Sequence, residues 1–133
     1  MEGYGCIRGN MKLLRPAHIL LEIHLKELGL NFVREYRFHK DRKWRFDYAL
    51  IQPYGHSKLP LGMAIEIEGG LHTRGRHVRP KGYEGDLEKY NTATLMGWRV
   101  LRFSTGQVLR GEAKAFLKEQ QRHFSRSIYE FTG

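Results

Sequence analysis

Hydrophobic and polar positions along the chain change from helical spacing to extended alternation and back again. Pro16 suits the first turn of a helix, and Gly29 supplies a stop after it. Between them, apolar residues recur at mostly helical intervals, at Ile19, Leu20, Ile23, Leu25 and Leu28. The pattern therefore predicts a first amphipathic helix with this apolar stripe facing the core.

Three extended segments follow the first helix. Residues 32–38 are rich in aromatic residues and Val, residues 44–50 alternate between apolar and polar, and residues 62–68 form a third strand closed by two glycines. A charged turn at 39–43 and a turn or loop at 53–57 separate these strands. The alternation in the second strand predicts two faces, with Phe46, Tyr48 and Leu50 on one and Arg45, Asp47 and Ala49 on the other.

The second half of the chain predicts a helix, a strand and a final helix. A loop rich in Gly, Arg and His over 69–83 precedes a helix over about 84–96, which ends at Gly97. Residues 98–103 form a short fourth strand, and Thr105 suits the N-cap of the last helix. A crossover through the second helix would place strand four in the same sheet as strand three. The predicted order is helix, three strands, helix, strand, helix.

The length and composition set limits on the class of protein. A chain of 133 residues indicates a single domain over 1–133, with 1–14 as a loose N-terminal segment. The single cysteine, Cys6, cannot form an internal disulfide, and a thiol nucleophile or a structural zinc site would need more Cys or His partners. No apolar run approaches the roughly 20 residues of a membrane span, and the N-terminus lacks a secretory signal. We therefore expect a cytoplasmic protein with no membrane partner.

The formal net charge of +9, with Lys and Arg spread along the whole chain, is the strongest compositional feature. A basic surface raises the local concentration of polyanions and speeds their association. Nucleic acid is the usual partner for such a balance, although a membrane surface or a ribosome would also fit.

Carboxylates within apolar strands are the most informative residues. Glu66 lies between Ile65 and Ile67, and strand alternation places Glu66 and Glu68 on one face with their Cα atoms about 6.6 Å apart. Asp47 has the same setting on the preceding strand. If the two strands are neighbours, these three acids converge at one edge of the sheet.

Like charges that converge raise each other's pKa and cost free energy unless a cation joins them. Mg²⁺ prefers hard oxygen ligands and keeps several waters for chemistry, and a bound metal can activate water and stabilise charge on a phosphate. The alternative is that the acids form solvated salt bridges with Arg37, Arg45 or Arg99.

The order of elements and the acidic motifs resemble the PD-(D/E)XK nuclease superfamily, through Phe46-Asp47 on one strand and Glu66-Ile67-Glu68 on the next. The stretches 64–72, 86–91 and 97–103 are similar to its small stand-alone members, of the very-short-patch-repair type and their phage-encoded relatives. The resemblance covers about residues 17 to 105. It implies an α/β fold with an αβββαβ restriction-endonuclease-like core, a four-stranded mixed sheet flanked by helices, and an additional C-terminal helix. It also implies a Mg²⁺- or Mn²⁺-dependent endonuclease that acts on DNA.

Carried over position by position, the resemblance implies that Asp47 and Glu66 are metal ligands, with the Ile67 carbonyl as a further ligand. Glu68 departs from the family pattern, which places Lys there, although some restriction enzymes of the superfamily carry Glu and use it to position metal and water. Lys89, on the helix after the site, is the candidate substitute for the absent lysine. Its alternative interpretation is an exposed helix lysine.

The loop that leaves the third strand predicts a substrate clamp. Glycines let the backbone approach a phosphate closely, and Arg offers bidentate contacts. The predicted nucleic-acid-binding residues are His72, Arg74, Arg76, His77, Arg79 and Lys81. His72 or His77 could also act as a general base or outer metal ligand, with His77 preferred, or be a simple DNA contact. The alternative for the whole segment is a flexible surface loop.

Other interpretations remain open at this point. Glu22 on the first helix corresponds to the helical acid that completes the metal site in some relatives, or is a surface residue paired with Lys26. A non-catalytic DNA- or RNA-binding module on a nuclease-like fold is the second functional class, and an HNH-type nuclease using His77 and Asn91 is a third.

Trp44 and Trp98 are expected to pack in the core or at its rim. Cutting both DNA strands would favour a homodimer or sequential nicking.

Overall fold

The computed structural model describes residues 15–51, 62–69 and 80–132, with side chains described for 15–51, 62–69 and 82–123. The elements within these ranges are α1 (Pro16–Glu27), β1 (Asn31–Arg37), β2 (Arg45–Ile51), β3 (Met63–Glu68), α2 (Pro80–Leu95), β4 (Arg99–Ser104), α3 (Thr105–Leu109) and α4 (Glu112–Thr132). None of the helices in these ranges is both long and apolar enough to cross a bilayer.

The four strands form one mixed sheet in the order β1-β2-β3-β4. β1 pairs antiparallel with β2, β2 pairs antiparallel with β3, and β3 pairs parallel with β4 after the crossover through α2. The predicted αβββαβ core with a four-stranded mixed sheet, flanking helices and an additional C-terminal helical segment is therefore confirmed.

Two apolar clusters hold the helices to the sheet. The first joins α1, α3 and α4 to the strands through buried residues that include Leu21, Leu25, Tyr48, Ile65, Val108 and Leu117. The second joins α2 to the sheet through Phe38, Phe46, Ala64 and Ala93, with Trp44 and Trp98 packed against it as predicted. Gly62, at φ 74°, lies where an added Cβ would be 3.0 Å from the Gly97 carbonyl oxygen. The end of α2 therefore lies directly against the start of β3.

The buried face of α1 differs from the predicted stripe. Ile19 and Ile23 are 47% and 46% exposed, whereas Ala17, Leu21, Glu22 and Leu25 are buried. Glu22 is buried because its carboxylate has hydrogen-bond partners on the sheet. A pattern of apolar residues alone cannot predict such a contact.

Strand β2 also departs from simple alternation. Phe46 packs in the second cluster, whereas Tyr48 and Leu50 pack in the first, so the three do not share one face as predicted. On the neighbouring strand β1, Glu35 has a left-handed backbone conformation with φ 51°. The paired residues of β1 and β2 do not include Glu35 and Asp47. We attribute the change of face to this local distortion of the sheet.

The helix boundaries are corrected in two places. α2 begins at Pro80, so residues 80–83, assigned above to the loop, are helical, and proline is tolerated in a first turn. The last helix is two helices, α3 and α4, separated at Gly111, which has φ 80°. Ser104 caps α3 in place of Thr105, in a reciprocal capping box with Gln107.

A candidate active site between strands β2 and β3

Strands β2 and β3 are joined by carboxylates where their backbone pairing ends. Their register comprises Tyr48 opposite Ile65 and Ala49 opposite Ala64. Beyond it, the backbone N–H of Asp47 donates to Glu66 Oε2 at 3.0 Å. The N–H of Ile67 donates in turn to Asp47 Oδ2 at 2.8 Å. Each acid thus accepts a hydrogen bond from a backbone donor of the other strand, which fixes the positions of both carboxylates at this junction of β2 and β3.

Helix α2 supplies two donors to Glu66. Lys89 Nζ lies 3.1 Å from Glu66 Oε1, and the Tyr90 hydroxyl donates to the same oxygen. Glu66 is 7% exposed, and the Lys89 side chain is 15% exposed. Lys89 is therefore not the exposed helix lysine of the alternative interpretation, and its ammonium lies at the acidic pair.

Asp47 is the less compensated of the two acids. Burial raises the pKa of its carboxyl above the ordinary value of 3.8, and the negative charge of Glu35 adds to this increase. The hydrogen bond from the Ile67 N–H and the positive charges of His18 and Lys89 oppose the increase without cancelling it. A partly buried carboxylate with a raised pKa gains stability from a nearby cation.

Glu68 is paired with Arg102 of β4. The Arg102 Nε donates to Glu68 Oε2, and the guanidinium lies 4.4 Å from the centroid of the Tyr90 ring. The parallel register places Arg102 beside Glu66, one strand over. Of the three carboxylates expected to converge, Asp47 and Glu66 are linked across β2 and β3, whereas Glu68 forms a salt bridge with Arg102, an arginine that the sequence did not single out.

The donor set of the pair suits a hard divalent cation. Across residues 15–51, 62–69 and 80–132 no group of three or more His, Cys, Asp or Glu is placed to hold a metal ion. Mg²⁺ is commonly bound through one or two carboxylates with phosphate oxygens and water completing its shell. The carboxylates of Asp47 and Glu66 are donors of this chemical type.

Glu22 lies in a separate buried network. Its two oxygens accept from Arg34 at 2.6 and 2.8 Å, and the Tyr48 hydroxyl donates to it at 2.7 Å. Glu22 is 5% exposed, so it is not a surface residue paired with Lys26. Both oxygens are committed to these partners and away from the Asp47–Glu66 pair.

The predicted nucleic-acid-binding loop lies mostly outside the described residues. His72, Arg74, Arg76, His77 and Arg79 fall there, and Lys81 belongs to α2 but its side chain is not described. Asn91 is described and is exposed on α2.

The structure adds two residues, Tyr90 and Arg102, that sequence reasoning missed. The signal for Arg102 was a charge within the apolar fourth strand, adjacent to the strand that carries the acids. For Tyr90 the sequence offered no more than its position next to Lys89.

No family model matches the sequence, and no curated protein sequence matches it. Among solved structures, the chain is similar to the homing endonuclease I-Bth0305I catalytic domain, with a TM-score of 0.56 and 15% sequence identity. The similarity covers 84% of this chain and 98% of that domain. At this identity the similarity concerns the fold, which is therefore that of a known endonuclease catalytic domain.

Proposed function

We propose that this protein is a Mg²⁺- or Mn²⁺-dependent endonuclease that hydrolyses phosphodiester bonds in DNA and belongs to the PD-(D/E)XK superfamily. The observation that carries the proposal is the pair of half-buried Asp47 and buried Glu66, each of which accepts a hydrogen bond from the other strand, with Lys89 in contact with Glu66. The endonuclease fold supports it, as does the net charge of +9, which favours a polyanionic substrate.

Asp47, Glu66 and the Ile67 carbonyl would hold the metal ion. When bound there, the metal would lower the pKa of an attacking water and stabilise negative charge on the phosphate. The backbone N–H groups of Asp47 and Ile67 fix one oxygen of each carboxylate, so the ligands are oriented before substrate binds. Burial raises the pKa of Asp47, so its charged form is disfavoured in the metal-free protein and a bound cation would stabilise it.

Lys89 takes the role of the lysine that is absent at position 68. Its ammonium contacts Glu66 and has further donors for a phosphate oxygen as negative charge develops there. Glu68, in its salt bridge with Arg102, keeps that arginine beside the site and contributes to the chemistry indirectly. The loop residues His72, Arg74, Arg76, His77, Arg79 and Lys81 form the substrate clamp of this proposal.

Tyr90 acts as a positioning residue for Glu66. Burial raises the pKa of its hydroxyl, and the hydrogen bond to Glu66 raises it further, so the hydroxyl stays a proton donor to the carboxylate. Replacing Tyr90 with Phe should lower kcat and weaken Mn²⁺ binding by about 10- to 100-fold, as is typical when a group that orients a metal ligand is lost. KM for DNA should be unchanged.

Steady-state cleavage and calorimetric titration with Mn²⁺ measure these two effects. The matched control is Tyr83→Phe on the same helix, where the tyrosine is exposed. The ring at position 90 still packs on Arg102 in the variant, so a change in KM alone would contradict the positioning role.

The metal site is tested by the thermal stability of the Asp47→Asn protein. An asparagine oxygen can still accept from the Ile67 N–H but removes the buried charge, so in chelator the variant should melt about 2–6 °C higher than the wild type. Mn²⁺ should raise the Tm of the wild type through binding to the folded state and leave that of the variant unchanged. Equal Tm shifts with Mn²⁺ in the two proteins would show that Asp47 is not part of the metal site.

We expect the difference in unfolding free energy between the wild type and the Asp47→Asn protein to depend on pH. Because the folded state holds the Asp47 proton more tightly than the unfolded chain, folding takes up a proton between pH 3.8 and the raised pKa. The unfolding free energy of the metal-free wild type therefore loses this contribution as pH rises through that window. The stability gap to Asp47→Asn should close as the pH falls towards 3.8, and a gap that widens would contradict the assignment.

A non-catalytic nucleic-acid-binding module is the second candidate, favoured by the capture of Glu68 by Arg102. A cleavage panel of linear, nicked, flapped and four-way DNA with Mg²⁺ or Mn²⁺ separates the two functions. Binding without cleavage of any of these substrates, together with no Mn²⁺ heat in calorimetry, would favour the module.

A further inference from the structure

Cations are concentrated in the turn that leads into the acidic pair. We call residues 37–45 the basic hairpin: it ends β1, turns, and begins β2 two residues before Asp47. Its nine residues hold one acid, Asp41, against five cations, namely Arg37, Lys40, Arg42, Lys43 and Arg45. Nothing in the proposed chemistry uses this charge.

The turn of the basic hairpin is fixed by its own hydrogen bonds. The His39 Nδ1 accepts from the backbone N–H groups of Asp41 at 3.1 Å and Arg42 at 3.2 Å. The Arg37 Nε donates to the Arg42 carbonyl at 3.0 Å across the turn. A surface ordered in this way loses little conformational entropy when a partner binds.

Arg42 anchors the basic hairpin to α2. Its guanidinium donates twice to Glu88, at 3.0 and 3.2 Å, and lies 3.9 Å from the Trp44 ring centroid. This cation is therefore compensated and structural, and it positions the charges on either side of it.

The remaining turn cations are available to a partner. Lys40 and Lys43 are exposed, and within the described part of the chain neither has an ion-pair partner. The Arg45 side chain is 58% exposed, and its nitrogen is 3.7 Å from Glu35, which is a loose surface pair.

The spacing of these cations suits a phosphate backbone. Along β2, the Cα of Arg45 lies about 7 Å from that of Asp47, and Lys43 is about 13 Å away if the chain stays extended. Each strand of duplex DNA carries a phosphate about every 3.4 Å along the helix axis, so this span corresponds to roughly four base-pair steps. A membrane surface fits less well, because no large apolar side chain within 37–45 is exposed to enter the lipid.

We propose that the basic hairpin, through Lys40, Lys43 and Arg45, is a contact surface for the phosphate backbone of duplex DNA. It sets how the duplex lies across the pair of Asp47 and Glu66. The choice of DNA as partner rests on the proposed function, whereas the surface itself rests on the fixed turn and its uncompensated charge.

The test compares two triple variants with the same net charge. One is Lys40→Gln, Lys43→Gln and Arg45→Gln; the control is Lys26→Gln, Lys118→Gln and Arg122→Gln, which lie on α1 and α4. Each lowers the formal charge from +9 to +6, because three cations become neutral. Binding to a blunt duplex is measured by fluorescence anisotropy in chelator over a series of salt concentrations, with circular dichroism as the check on folding.

The hairpin variant should lose up to about 2.7 from the slope of log Kd against log salt, because each lost phosphate contact removes about 0.9. The control should keep a slope close to that of the wild type. Equal losses in the two variants, or a hairpin variant with the wild-type slope, would overturn the proposal. So would hairpin-dependent binding to vesicles containing phosphatidylserine with no effect on DNA.

Cleavage assays with the same proteins distinguish a failure of the proposed endonuclease function from a failure of the proposed contact surface. A wild type that binds DNA through the basic hairpin but never cuts it would refute the proposed endonuclease and leave the contact surface standing. A wild type that cuts DNA with hairpin and control variants indistinguishable in binding would refute the surface alone. A wild type that does not bind duplex DNA would refute both.

Discussion

Replacing Glu66 with Gln should lower kcat for metal-dependent DNA cleavage at least about 1000-fold, which corresponds to roughly 4 kcal/mol of activation free energy. Glu66 carries the charge that faces Lys89, and it lies beside Asp47 as the second proposed carboxylate ligand. The Gln side chain can still accept from the Asp47 N–H, so the fold should be kept and DNA affinity should be equal or stronger. Single-turnover cleavage and anisotropy in chelator measure the two quantities.

Glu84→Gln is the matched control for this substitution. Glu84 is exposed on α2, so the variant makes the same chemical change on the surface of the element that carries Lys89. It should cleave at the wild-type rate. Comparable residual activity in the Glu66 and Glu84 variants would dismiss the assigned site.

Replacing Arg34 with Met should lower the unfolding free energy by about 3 kcal/mol or more, because it leaves the buried Glu22 carboxylate without its counter-charge. Glu22 would keep the Tyr48 hydroxyl as a donor, but a single neutral hydrogen bond does not offset the cost of burying the charge. Urea denaturation followed by fluorescence measures the change.

The second substitution in this test is Glu22→Gln in the Arg34→Met background. Removing the stranded charge should recover a substantial part of the lost stability, and the double-mutant cycle gives the coupling between the two residues. Arg110→Met breaks an ion pair with Glu112 on the surface and should change stability little. A double variant no more stable than Arg34→Met would show that Glu22 is not held as a buried ion pair.

The acidic pair could be predicted from the sequence because the signal was local. Acids flanked by apolar residues in strand segments have to face something other than the core, and the order of elements made the two strands neighbours. That reasoning placed Asp47 and Glu66 correctly, and the structure also brings Lys89 to them. The overall αβββαβ order followed from periodicity and from the glycines and prolines at element ends.

The parts that could not be predicted depend on contacts between distant segments. Glu22 is a polar position of α1 whose burial depends on Arg34, so the sequence could not place it in the core. The predicted stripe is confirmed at Leu20, Leu25 and Leu28 and wrong at the exposed Ile19 and Ile23. The salt bridge from Arg102 to Glu68 requires the register of β4. Phe46 packs on the face of the sheet opposite to that of Tyr48, close to Glu35 of the partner strand, which has a left-handed backbone conformation. A non-glycine residue such as glutamate rarely adopts that conformation, so the sequence does not predict it.

The hydrogen bonds between β2 and β3 through Asp47 and Glu66 also limit which substitutions at these positions the fold would tolerate. Alanine at Asp47 or Glu66 would leave an amide N–H of the opposite strand without its acceptor, whereas Asn or Gln would supply one. Homologues that lose the proposed activity but stay folded should therefore carry amides at these two positions. An amide at Asp47 would also remove a charge that burial disfavours, so homologues carrying it should be the more heat-tolerant ones.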